Sequence, residues 1–375
     1  MSNQNTNRIE IKKINRNRIY KLIYQKGEMS KQSIAYALNI SLPTVTQNLR
    51  ILLEQDLILE SGMFESTGGR KAKAVSYNPG ARYSVGVDIT KNHVVVVVVD
   101  LGARVIQKLR VRLVFENKRE YFQKVGALIE QTIRDSQVDE RKILGVGISI
   151  PGLLSQDARK VVYATILGFT GGRIESFEEF IPYPCIFSND ASAAGFAEVW
   201  NTNMADNMVY LSLSDSVGGA IFLNQNFYPG DNQRSAEFGH MTIVPNGREC
   251  YCGMKGCVDA YCNSRILSES APNGLDGFFE LLRQGSPTHQ KIWEEYLEYL
   301  LITINNLRML FDCRVVLGGY VGNYMEEHIH TLREMASKRN TFECDGTYLQ
   351  VCRYKTEASA VGAALQHVQP FIDSI

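Results

Sequence analysis

One histidine and three cysteines fall within eighteen residues: His240, Cys250, Cys252 and Cys257, spaced H-x9-C-x-C-x4-C. One imidazole and three thiolates make the donor set of a closed tetrahedral zinc site. Four protein donors leave no position for a catalytic water, so a zinc ion there is structural. Gly253 and Gly256 allow the loop to fold round an ion. The alternative is a group of buried thiols without metal. Cys262 falls outside the spacing and is expected to be unligated, and Cys185, Cys313, Cys344 and Cys352 read as core or surface residues. A second chemical group ends the apolar run "CIFSND", where Asn189 and Asp190 reach the carboxyl end of a strand. In an α/β architecture that is where a ligand crevice opens.

The elements that must hold these residues begin with a basic head. Residues 1–80 contain 12 Lys/Arg against 6 Asp/Glu, while the whole chain of 375 residues is balanced at 40 and 40. The remaining residues therefore carry 28 basic against 34 acidic side chains, a net of −6. A basic head on an acidic body suits a polyanionic partner at the head. Three helix-like segments lie within residues 14–59: Asn15 to Gln25, a second opening at Ser30 with Ser33, Ala35 and Leu38 inward, and a third after "SLPT". Ser41 can cap the third, and Pro43 suits its first turn. Helix, helix, turn, helix is the helix-turn-helix pattern, in which the third helix offers Thr44, Thr46, Gln47, Asn48 and Arg50 to a DNA major groove. "LILESGMF" and "KAVSYNP" read as two strands of a wing, with Arg70, Lys71 and Lys73 round its tip. Pro79-Gly80 closes this domain, and a second is expected over residues 81–375.

The longest apolar run, Val94 to Val99, is far short of a membrane helix, and the N-terminus "MSNQNTNRIEIKK" has no apolar signal core. A cytoplasmic protein is expected, in which eight cysteines serve metal or core and not disulfides. From Tyr83 the chain reads strand, strand, strand, helix (Glu120–Ser136), strand, and then further strands interleaved with helices. That order implies an α/β chain with two related halves.

Three stretches resemble the ROK family of repressors, open reading frames and kinases: "EFGHMTI" (237–243), "CYCGMKGCVD" (250–259) and "NDASAAGFAE" (189–198). The resemblance covers essentially the whole chain. It implies the two-lobed, actin-like ATPase (ribonuclease H-like) frame of sugar kinases, preceded by the winged helix-turn-helix. It also implies sugar contacts from Asn189, Asp190, Glu237, His240 and Asp259, with His240 using one ring nitrogen for zinc and the other for a sugar hydroxyl. Asp259 stands where the family usually has Glu. Ile166 and Phe169 stand where many relatives have Asn and Trp, so an unusual ligand is expected.

Asp190 matches the family's catalytic base, but the phosphate loops depart from those of the kinases. "DITKNH" (88–93) lacks both glycines of the first loop, and "SDSVGGA" (214–220) places Ser214, Asp215 and Ser216 where the second is glycine-rich. Side chains crowd the phosphate path, and the Asp215 carboxylate repels a triphosphate. ATP binding is not expected, although "LGGYVG" (317–322) still resembles the adenosine loop. The preferred reading is a non-enzymatic transcriptional regulator, a repressor whose body senses a sugar and whose homodimer or homotetramer binds palindromic double-stranded operator DNA. An active sugar kinase with a DNA-binding head is the competing reading, and a protein-binding scaffold is the third.

Overall fold

The computed structural model describes residues 2–63, 73–164, 166–200 and 207–375. The head comprises α1 (Ser2–Lys26), β1 (Glu28–Ser30), α2 (Lys31–Leu38), α3 (Leu42–Glu54), β2 (Ile58–Met63) and β3 (Lys73–Tyr77). Local chemistry sets these boundaries. Ser30 Oγ accepts from the Ser33 amide at 3.0 Å to start α2, which stops at Asn39 in the left-handed region. Ser41 caps α3 through the Thr44 amide, with proline in the first turn. α1 begins well before the expected Asn15, and the buried residue of α2 is Ile34, with Ser33 exposed. The short β1, not foreseen, pairs with β3 to give a three-stranded sheet ordered β1-β3-β2. Arg70 and Lys71, named for the wing tip, lie outside the described residues.

The first lobe contains β4 (Tyr83–Ile89), β5 (His93–Asp100), β6 (Val105–Arg112), α4 (Arg119–Ser136), β7 (Ile143–Ile150), β8 (Leu153–Leu154), β9 (Val161–Tyr163), α5 (Glu175–Glu178), β10 (Cys185–Asn189) and α6 (Asp190–Val199). The second has β11 (Met208–Leu213), β12 (Val217–Leu223), β13 (Asn226–Phe227), α7 (Asp259–Cys262), α8 (Arg265–Ser268), α9 (Gly274–Arg283), α10 (Pro287–Phe311), β14 (Arg314–Gly318), α11 (Gly319–Gly322), α12 (Ile329–Ser337) and β15 (Leu349–Val351). α13 (Ala358–Ser374) returns to the first lobe and packs on β4, β7 and α6. The two large sheets repeat one plan. β10-β7-β4-β5-β6 matches β15-β14-β11-β12-β13, each with two antiparallel and two parallel pairings in the same places. β5 is buried along almost its whole length, as its run of six valines requires, whereas the edge strand β6 alternates half-buried and exposed residues.

Two packing features place the sites. α6 and α13 touch backbone to backbone at Gly362, where an added Cβ would lie 1.7 Å from the Ala193 carbonyl oxygen. The head shares a core with the body. Ile19, Tyr20, Ile23, Val45, Leu49 and Leu52 belong to the same buried cluster as Val97, Leu101, Trp200, Ala360, Val368 and Ile372. Polar contacts reinforce it. Asn17 Nδ2 donates to Ile372 O at 2.8 Å, Lys21 pairs with Asp373 at 2.6 Å, and Trp200 Nε1 donates to Tyr24 Oη at 3.0 Å. No helix among the described residues is long and apolar enough to cross a membrane.

Candidate functional site

A cavity of about 510 Å³ opens where α6 starts, walled by residues of both lobes. Asn189 is the last residue of β10 and the cap of α6. Its Oδ1 accepts from the Ser192 amide at 2.9 Å, and its Nδ2 donates to Gly152 O at 3.0 Å. These two bonds fix the amide plane at the cavity wall. Asp190 follows, its Oδ1 accepting from the Ala191 amide at 2.9 Å, and burial raises its carboxyl pKa. Glu237 is exposed and lines the cavity. Enclosure by surrounding protein still raises its pKa, opposed by His240 and reinforced by Asp190. His240 also lines the wall, as do Tyr251, Arg234 and Gln366, three residues the sequence did not single out.

Asp259 does not belong to this wall. It is 2% exposed, and its Oδ1 accepts from the Val217 amide at 2.6 Å, tying α7 to the start of β12. The carboxylate expected on the sugar instead satisfies a buried N–H. Ile166 does line the cavity, whereas Phe169 is buried among Phe115, Phe122 and Phe177.

At one side of the cavity His240, Cys250, Cys252 and Cys257 converge, their ligand atoms all within 4.8 Å of one another. Cys252 Sγ and Cys257 Sγ are 3.8 Å apart, and Cys250 Sγ is 4.0 Å from His240 Nδ1. A tetrahedral ion with zinc–sulfur bonds of ~2.3 Å separates its sulfurs by roughly 3.8 Å, so the four donors fit one. Gly256 adopts φ +83°, and a Cβ there would meet Val244 O at 1.8 Å, so both the backbone and the space require glycine. Burial pushes the Cys250 thiol up to about 12 and raises Cys257 as well, whereas at Cys252 burial is outweighed by hydrogen bonds from the Met254 amide and the other two thiols and the pKa falls, so at Cys250 and Cys257 a bound cation is what would favour the thiolate. Cys262 is fully buried and remains outside the group.

Beyond Asp190 lies a smaller cavity of about 60 Å³, lined by Asp88, Lys91, Ser214, Asp215 and Tyr320 among others. Asp215 is held by Ser264 Oγ at 2.8 Å. The Asp88 carboxyl accepts from Ser149 Oγ at 3.0 Å and is pushed up to about 7, by burial first and Asp190 second. The folded value thus exceeds the ordinary 3.8, so the associated stability is full below that pH and is lost as pH rises through about 7. Asp88→Asn is expected to stabilise the protein over wild type by a few kcal/mol at pH 8, a gap that closes toward pH 4. Urea unfolding at several pH values measures it, and a gap independent of pH would refute the burial argument.

On the head, Thr46, Gln47 and Arg50 are exposed along α3, with Arg50 paired to Glu54 at 3.4 Å. Thr44 is half-buried, its hydroxyl 2.8 Å from Ser41 Oγ in the cap. Asn48 departs from its expected role: it is 5% exposed, on the face of Val45, Leu49 and Leu52, and donates to Thr44 O at 2.8 Å. It supports the helix from within. Asn48→Ala should therefore cost roughly 1 kcal/mol of stability and leave sequence preference on DNA unchanged. Gln47→Ala should instead weaken or relax DNA binding by ~1–3 kcal/mol. Denaturant melts and competition binding separate the two effects.

The profile described as ROK family matches residues 84–369, and one described as winged helix-turn-helix DNA-binding matches residues 13–58. The chain is 27% identical over 378 residues to the xylose repressor of Bacillus subtilis, covering 97% of each chain. It is 25% identical over 278 residues to the DNA-binding transcriptional dual regulator NagC of Escherichia coli, covering 73% of this chain and 67% of that one. Among solved structures, a ROK family transcriptional regulator homologous to the E. coli MLC protein superposes with a TM-score of 0.76 at 21% identity, covering 97% of both chains. A ROK hexokinase from Thermus thermophilus superposes with a TM-score of 0.62 at 26% identity, over 78% of this chain and 99% of that one.

Proposed function

The chain belongs to the ROK family, and we propose that within it this protein is a sugar-responsive transcriptional repressor whose kinase-like body binds the effector. The observation that carries this reading is the continuous core joining a winged helix-turn-helix to a two-lobed body with a polar cavity. Thr46, Gln47 and Arg50 face the operator, with Arg70 and Lys71 of the wing on the phosphates or minor groove. Asn189, Asp190 and Glu237 hold the hydroxyls of a sugar or sugar derivative. His240, Cys250, Cys252 and Cys257 hold a structural zinc that keeps the cavity wall in shape. The protein works in the cytoplasm as a homodimer or homotetramer on paired half-sites.

The smaller cavity supports a sensor and not a kinase. Among its lining residues Asp215 stands where the second phosphate loop of the kinases is glycine-rich, and a carboxylate there repels a triphosphate. Duplexes recovered from a random pool should be released or gained on adding D-xylose, D-glucose or N-acetyl-D-glucosamine. A coupled assay with ATP and the same sugars tests the competing reading, and turnover of ~1 s⁻¹ would overturn the sensor-only assignment.

The effector must bind the two states of the head with different affinity. α6 and α13 are the route between the sites. Asn189 and Asp190 start α6 at the cavity and Gln366 of α13 lines it, while Trp200 and Ile372 at the other ends bond α1.

A further inference from the structure

Tyr251 sits in sequence between two of the thiol donors, Cys250 and Cys252, and reaches back over the His240 ring. Its Oη lies 3.2 Å from His240 Nε2, with ring centroids 5.4 Å apart and planes crossed at 63°. The other ring nitrogen, Nδ1, faces the thiols. The Cys250 amide donates to Met254 O at 2.8 Å and the Gly253 amide to Cys250 O at 2.9 Å, so a tight turn presents Tyr251. The residue is 50% exposed and lines the large cavity.

The proton count at His240 decides which way each hydroxyl points. With an ion on the four donors His240 would ligate through Nδ1, which faces the thiols, and its neutral imidazole would carry its single proton on Nε2. Nε2–H must donate, and the atom placed to accept is Tyr251 Oη. A phenol oxygen that accepts from His240 keeps its own O–H for another acceptor, and the open side of Tyr251 is the cavity.

We propose that Tyr251 is a specificity-determining contact residue, whose O–H, aimed by metal-bound His240, donates to an acceptor oxygen of the sugar in place of the imidazole. The inference rests on the reading of the cavity as the sugar site. It replaces the expectation that His240 touches the sugar itself, because Tyr251 already occupies Nε2. It also gives His240 a part in recognition: ligated through Nδ1, it would hold the tautomer that turns the phenol O–H toward the cavity.

Protein labelled with ¹⁵N-histidine and loaded with zinc tests the geometry without any sugar. One of the six histidines should show a metal-bound Nδ1 and a slowly exchanging Nε2–H. That N–H should shift and exchange faster in Tyr251→Phe, with the zinc content unchanged. A His240 signal indifferent to Tyr251→Phe would overturn the proposal. Thermal shifts with D-xylose, D-glucose and N-acetyl-D-glucosamine form the second arm. For a probe that raises the wild-type melting temperature, Tyr251→Phe should bind roughly 3- to 10-fold more weakly, with an unchanged melting temperature in the absence of sugar. Equal binding by wild type and Tyr251→Phe sinks this proposal alone. A wild type that answers to none of the panel sinks the sugar reading and this proposal with it.

Discussion

Cys257→Ser is expected to abolish stoichiometric zinc binding and to loosen residues 241–258 as a unit. Cys257 is 1% exposed, with its sulfur 3.8 Å from Cys252 Sγ, so a serine removes a donor at the most enclosed corner of the group. From Pro245 to Lys255 only Cys250 is buried, and Tyr251 and Met254 are at least half exposed. Besides a metal, the segment is held by backbone bonds such as Ile243 N to Gly256 O and Val258 N to Met241 O, by the Arg248 ion pair with Glu295 at 2.6 Å and its stacking over Tyr261, and by Met241, Ile243 and Val244 at its start packing on the core. An ion that binds the folded loop stabilises it by about 2.7 kcal/mol when free metal is 100-fold above its dissociation constant. Wild type should contain about one zinc per chain, and chelation or Cys257→Ser should lower the melting temperature by roughly 5 °C or more. Sugar binding should fall in parallel, because His240 and Tyr251 lose their support. A metal-free wild type with the same melting temperature and the same hydrogen-exchange protection over 241–258 would rule the metal out.

The metal group could be read from the chain because residue type and spacing alone define it; His240 and the three cysteines needed no partner from elsewhere. The capped starts of α2 and α3 were equally local, since Ser30 and Ser41 bond amides three residues away. Asn48 is legible from its spacing, against its polarity. It lies three residues after Val45 and four before Leu52, on the inward face, and its polarity suggested the opposite face. Ser33 and Ile34 show the same fault in α2, where choosing the neighbour moved the buried stripe by about 100°. Asp259 was beyond reach, because its partner is the Val217 amide, 42 positions away and on another element. Tyr251 carries no signature in sequence, since its meaning depends on which nitrogen of His240 faces the thiols. The match between the two sheets follows from strand pairing and not from residue identity, so the chain hinted at two halves without giving their order.

Trp200→Phe is expected to leave both binding activities in place and to remove most of the communication between them. α6 spans ten residues, ~15 Å, from the cavity to Trp200. There the indole N–H donates to Tyr24 Oη at 3.0 Å, and Tyr24 donates in turn to Leu101 O. Tyr24 belongs to α1, whose Tyr20 and Ile23 share the buried cluster of Val45 and Leu49 in α3, the helix proposed to meet DNA. The parallel path along α13 ends at Asn17 and Lys21 of α1, and the Gly362–Ala193 contact leaves no side chain between the two helices to absorb a shift. On the proposed route, a displacement of Asn189 or Gln366 on the cavity side would reach α1 through these two directly packed helices. Phenylalanine keeps most of the buried surface of Trp200 and deletes the single donor. In wild type the effector should change DNA affinity by a factor in the usual range of about 5–150, and operator DNA should change effector affinity by the same factor. In Trp200→Phe and in Tyr24→Phe that factor should fall several-fold toward one, while effector affinity without DNA stays within about twofold. Phe342→Ala, at a side chain 82% exposed and outside this shared core, serves as the control and should leave the factor intact. Titrations of DNA with and without effector, and of effector with and without operator DNA, give all four quantities. Wild-type coupling in both junction variants would mean that the signal travels by α13 alone, and the same experiment on Asn17→Ala would then show the loss.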